Sequence, residues 1–409
     1  MPRILRFAWL CSWIVAGAAL AGTTPSNAPA GVTVAPALRW PAAPIASAAA
    51  LDAYLRGTPP AASPLSAFTA DGRRRFLASL TFHEHGLGGF STDDLTYELT
   101  RAQAWNVLRL FGEQAYASGL PARTRPRPPD DRPATLAAAY DRLATLQPDD
   151  AALVALYAEA FAPARARLAR LDDADVELLF RAAGRLAHGR RADPGYLADM
   201  QHAFAELDRR GRVDRPHADA LYEALLAAHR TEAARALLAS RPNLDRRPPP
   251  VMRTARLRAG QASVWIAHGS HELWRLPLML RDTAQVVVMG SPHCHFSGAA
   301  ARDIDADPVL RALFGAHAQW IAPASDITDF AALLAWNHTH PQQRLAIAND
   351  DAELPFVGTL ETPVFYFLRH GDVVATLVGW PGPDQRERLR AQLRSLGLLR
   401  PPSTPPDTR

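Results

Sequence analysis

The chain has 409 residues, 48% of them hydrophobic and 21% charged. That is the composition of a folded protein with room for two or three domains and excludes a disordered one. All 45 basic residues are arginine against 41 acidic ones, so the formal charge is only +4, and the arginines are interspersed with Asp and Glu without a long basic run, which argues against a nucleic-acid partner.

Arg3 and Arg6, the apolar run FAWLCSWIVAGAAL and the small-residue triplet Ala19-Leu20-Ala21 read as a secretory signal peptide over 1–21, cut after Ala21. The competing reading, a membrane anchor, asks for roughly 20 apolar residues, and this run is shorter. No later stretch is long and apolar enough to span a bilayer, and no membrane insertion is expected after cleavage. The predicted location is the periplasm or the outside of the cell. Cys11 leaves with the signal and Cys294 remains as the one thiol, so no internal disulfide is expected.

A Pro/Ala-rich segment over 22–45 reads as flexible. LSAFTADGRRRFLASLTFHE, with Thr69 and Asp71 as capping candidates, and STDDLTYELTRAQAWNVLRLFGEQAYASGL, with Ser91 or Thr92 as cap, have helical spacing. They predict a helical subdomain over 46–120. Proline content marks 121–133 as a linker. From 134 to 242 the text is Ala/Leu-rich amphipathic helices, predicting a bundle or short solenoid and a surface for a protein partner. LYEALLAAHRTEAARALLASRP resembles one tetratricopeptide unit, but no second copy aligns at a fixed period. Residues 243–254 read as a second linker.

Beyond it the grammar changes. SVWIAH, AQVVVMG, QWIAP and RLAIAND read as strands, and GAAARDI…DPVLRALFGAH and DITDFAALLAWNHTH, the latter capped by Asp326, as helices. A hairpin turning at His370-Gly371-Asp372 and a final amphipathic helix follow. The fold class is therefore α plus α/β: an all-helical N-terminal region, then an α/β sandwich with a mixed sheet over 255–400 and a disordered tail at 401–409.

VVVMGSPHCHFS resembles the active-site strand and loop of the thioredoxin-like superfamily, with C-H-F-S in place of C-x-x-C. LETPVFYF is similar to that family's second landmark, a proline held in cis beside the active-site sulfur, which falls on Pro363 with Thr362 before it. RHGDVVATLVGW matches the closing hairpin, with Gly379 before the last helix. The resemblance covers residues 255–400. It implies a thioredoxin-like sandwich in which Thr362 and Pro363 contact an extended substrate segment. Two features depart from the family: Ser297 replaces the second cysteine, and the long interval from Cys294 to Pro363 implies an insertion.

A cysteine at a helix N-terminus sits where unpaired N–H groups and the helix dipole favour the thiolate. His293 and His295, when protonated, add to that or shuttle protons, and the Ser297 hydroxyl hydrogen-bonds to the thiolate. Ser297 cannot resolve a mixed disulfide as a second thiol would. The predicted chemistry is single-cysteine thiol–disulfide exchange or isomerisation on a protein or a low-molecular-weight thiol or disulfide, with no cofactor. The alternative is a redox-inactive scaffold whose helical region holds a partner. A metal at His293-Cys294-His295 needs a third ligand such as His317, His338 or His340, and none is assigned. HEHG (83–86) is not H-E-x-x-H and reads as a helix end, and HGSH (268–271) as a turn.

Overall fold

This computed structural model describes residues 37–83, 86–127, 134–146, 151–190, 193–244, 246–354, 356–358, 362–380, 382 and 384–400. The segment read as a signal peptide, with Cys11, most of the segment 22–45 and residues 401–409 lie outside the described residues.

The first apolar core gathers Phe76, Leu95, Leu99 and Leu108, all fully buried, from α1 (Ala48–Gly57), α2 (Ala70–Ser79), α3 (Asp93–Glu98) and α4 (Arg101–Arg109). Thr100 and Gln103 start α4 with a reciprocal capping box. Two expectations are corrected. The segment read as flexible ends in ordered chain, because Ile45 is buried and its N–H donates to the Leu110 carbonyl. The helix expected to run on to Glu84 stops at Ser79, and β1 (Thr81–His83) pairs antiparallel with β2 (Gly86–Gly89). Thr81 and Phe82 favour extended chain, and a side chain at Gly88 would collide with the His83 ring. His83 and Gly86, the described ends of HEHG, therefore lie in two paired strands rather than at a helix end.

The second core is built by α5 (Ala137–Ala144), α6 (Ala151–Leu156), α7 (Ala162–Arg165), α8 (Asp173–Gly189), α9 (Pro194–Arg209), α10 (Arg215–Ala227) and α11 (Thr231–Ser240). Asp172, Asp193 and Asp214 each cap a helix with a side-chain acceptor. Between α6 and α7 the chain makes a π turn over Tyr157–Phe161; Pro163 in the next turn has no N–H to continue the α ladder. A buried ion-pair network joins the two helical cores. Arg181 of α8 reaches Asp93 and, at 2.7 Å, Asp94 of α3, while Arg75 of α2 holds Asp94 at 2.7 Å.

The rest of the chain is one mixed sheet with helices. Its strands are β3 (Val251–Thr254), β4 (Ser263–His268), β5 (Glu272–Pro277), β6 (Gln285–Met289), β7 (Ala318–Ala322), β8 (Leu345–Ala348), β9 (Val364–Arg369) and β10 (Asp372–Val378). The strand order is β10-β9-β6-β7-β8-β4-β5-β3. The intervening helices are α12 (His295–Ala306), α13 (Pro308–His317) and α14 (Phe330–Thr339), with α15 (Asp384–Ser395) closing the chain. β6, β7 and β8 run parallel, β9 runs antiparallel beside β6, and β10 runs antiparallel beside β9 at the sheet edge. Val286 and Val288 enter one core and Val287 and Met289 the other, so β6 is apolar throughout, as a strand covered on both faces must be.

The β6-α-β7 crossover followed by the β9–β10 hairpin and α15 is the thioredoxin-like arrangement that the motifs imply. The long interval before Pro363 is occupied by α14 and β8, which add a strand beside β7. Strand β3 corrects the second linker: residues read as connector pair in parallel with β5. α14 is capped by Asp329, whose carboxylate accepts from Ala332 N–H, rather than by Asp326.

Candidate functional site

Strand β6 delivers the chain to Gly290, and the loop Ser291-Pro292-His293 turns it into α12, with Cys294 at the N-cap. The loop is held from below. Ser291 Oγ donates to Asp326 Oδ2 at 2.7 Å and accepts from the His293 N–H at 3.2 Å, while the Ser291 N–H donates to Ser297 Oγ at 3.2 Å. Ser297, one turn into α12, is fully buried and sits on the side of the helix that faces the sulfur. Asp326 lies in the turn after β7, where burial raises its pKa above the usual carboxylate range despite the Ser291 hydrogen bond.

Across the loop, the Thr362–Pro363 peptide bond is cis. The Cys294 thiol donates to the Thr362 carbonyl at 3.0 Å. Pro363 is buried and Cys294 and Thr362 are half-buried. Burial alone would push the thiol pKa up. It is outweighed by a side-chain hydrogen bond from Thr362 and by the Ser297 N–H, the Ser297 hydroxyl and the Phe296 N–H, so the pKa lies below that of an ordinary cysteine.

The six residues singled out in the sequence separate into two groups. Ser297 and Thr362 meet the Cys294 sulfur, and Pro363 follows Thr362 through the cis bond. The two histidines turn outward: His293 Nε2 lies 3.8 Å from Asp329 Oδ2, with side chains 52% and 44% exposed, and the exposed His295 ring lies 3.8 Å, centroid to centroid, from that of Phe296. The thiol is shifted by N–H and O–H groups, foremost among those lowering it the donors of Thr362, Ser297 and Phe296. Among the described residues no group of three or more His, Cys, Asp or Glu side chains is arranged to hold a metal ion, and no helix is long and apolar enough to cross a membrane. His340, one of the possible third ligands, is paired with Asp305 at 2.9 Å.

Sequence reasoning missed two residues. Asp326 reads as a helix cap because it precedes an apolar helical run; its contact with Ser291, 35 positions away, leaves no local signal. Phe296 is 40% exposed on the first turn of α12. An aromatic residue on a polar face beside the thiol was the available clue.

Strands β6, β7, β9 and β10 with α12 and α15 have the order that the sequence resemblance implies, and Cys294, the one cysteine among the described residues, sits at the N-cap of α12. No family model matches this sequence, and no curated protein matches it. Among solved structures, a thioredoxin-like protein from Bacteroides caccae is similar at 11% identity over 65% of this chain and 97% of that chain, with a TM-score of 0.20. At that score the likeness carries no argument about fold or function.

Proposed function

We propose that this chain is a single-cysteine thiol–disulfide exchange protein acting outside the cytoplasm, with Cys294 as nucleophile. The observation that carries the reading is a half-buried thiol of lowered pKa set between the first turn of α12 and the Thr362 carbonyl. The Cys294 thiol loses its proton to water, and its thiolate attacks one sulfur of a substrate disulfide. One S–S bond forms to Cys294, one breaks, and the other substrate sulfur leaves as thiolate. Ser297 carries no second thiol, so the mixed disulfide persists until an external low-molecular-weight thiol or a second cysteine of the substrate attacks it. Isomerisation and trapping suit this chemistry, and net dithiol oxidation does not. Thr362, beside the sulfur, offers backbone to an extended substrate segment.

One observation favours the scaffold reading: donation to the Thr362 carbonyl stabilises the protonated, unreactive thiol. Alkylation rate against pH separates the two. Exchange predicts labelling of the folded protein with a midpoint below that of free cysteine. A scaffold predicts labelling only on unfolding, or a midpoint at or above that of free cysteine.

A further inference from the structure

The helical region and the sheet are packed together beside this site. α10 lies against the turn Ala324–Thr328, which carries Asp326, and the His229 ring lies 5.0 Å from that of Trp265. Next to this contact is a cleft of about 600 Å³, walled by Tyr222 of α10, the connector at Arg246 and Arg247, and Asp329 and Phe330 at the start of α14. That volume is in the range of ligand sites. Its Asp329 end touches the loop of the thiol, since Asp329 is the residue 3.8 Å from His293, the neighbour of Cys294.

Three arginines line the cleft against one carboxylate, Asp329. Arg235 is occupied by Glu232, and Arg246 by Asp219 and Glu223. Arg247 is exposed, and its guanidinium has no carboxylate partner among the described residues; only its backbone carbonyl is used, by the Tyr222 hydroxyl at 2.7 Å. We propose that this cleft is the substrate-recognition site for exchange at Cys294, and that it takes an extended polypeptide segment bearing a carboxylate, which pairs with Arg247. The proposal rests on the exchange reading and gives the helical region a role in it: one wall of the substrate site.

The test uses two peptides of identical sequence, each with its cysteine in a mixed disulfide with 2-mercaptoethanol, one with glutamate and one with lysine flanking the cysteine. Wild type is expected to react up to about fivefold faster with the glutamate peptide, the most an exposed ion pair supplies, and the preference should fade in about 1 M salt. Arg247→Glu should reverse the preference, while both proteins react equally with hydroxyethyl disulfide, which is neutral and too small to span the cleft. An absent preference in wild type, or one that Arg247→Glu leaves unchanged, overturns the cleft assignment alone. If hydroxyethyl disulfide reacts with wild type no faster than with Cys294→Ser, exchange itself fails and the cleft assignment falls with it.

Discussion

Ser297→Ala tests how the thiol is tuned. The hydroxyl is fully buried, accepts from the Ser291 N–H at 3.2 Å and is one of the donors that lower the Cys294 pKa. A hydrogen bond of this kind contributes about 1 kcal/mol. Its loss raises the thiol pKa and, at pH below both pKa values, reduces the thiolate population about fivefold, since 1.36 kcal/mol corresponds to one pKa unit. The more basic thiolate is also a better nucleophile, with a Brønsted slope of about 0.4–0.5, which returns roughly half of the logarithmic loss. The variant should therefore be alkylated about twofold more slowly than wild type at pH below both pKa values and about twofold faster at high pH, where both thiols are ionised. The assay is the iodoacetamide rate across the pH range on folded protein, with a thermal melt to confirm that the variant, whose Ser291 N–H loses its acceptor, remains native. Superimposable profiles, or a variant slower at every pH, refute the assignment of Ser297.

Asp326→Asn probes the floor of the site, where burial raises the carboxyl pKa. A group whose folded pKa is raised contributes stability that is complete below its unfolded pKa and is lost as pH rises through the folded one. The Asn variant lacks that loss, so its melting temperature relative to wild type should climb from pH 4 to pH 7; a flat or falling difference contradicts the account. Arg181→Ala should lower stability to urea by about 3 kcal/mol, the low end for breaking a buried pair, because Arg75 still holds Asp94 at 2.7 Å. In the folded fraction, Cys294 alkylation should be unchanged. A loss below about 1 kcal/mol would mean that the network joining the helical cores is not a structural anchor. Phe365→Ala removes a fully buried ring packed on Trp320, Phe314 and Trp380 and should cost about 3–5 kcal/mol by urea denaturation; a smaller cost would show that the sheet core repacks.

The parts of the fold legible in the sequence are those set by neighbours along the chain. QVVVM announces a strand, and β6 is buried throughout. His370-Gly371 announces a tight hairpin, and both residues have positive φ, 54° and 85°, the conformation that matches the twist of the paired strands. The thiol at a strand-to-helix junction was readable for the same reason. What sequence hid depends on distant partners. Strand β3 has four residues and pairs only with β5, which lies between it and β4, so β3 has no distinctive pattern of its own. Asp326 and Asp329 lie three residues apart before one apolar run, and only the fold decides that one supports Ser291 and the other caps α14. The buried charge of Arg181 is compensated from α3, 88 positions away, and no periodicity reports that. The helical region reads as a separate module because its apolar residues form cores of their own; its contact with the turn at Asp326 joins residues distant in sequence.

The most direct test of the central claim is the mass of the folded protein after incubation with hydroxyethyl disulfide at neutral pH, with Cys294→Ser as background. The account predicts one adduct of mercaptoethanol on Cys294 without denaturant, absent from Cys294→Ser and removed by added thiol. An adduct that forms only after unfolding, or equally in Cys294→Ser, would contradict it.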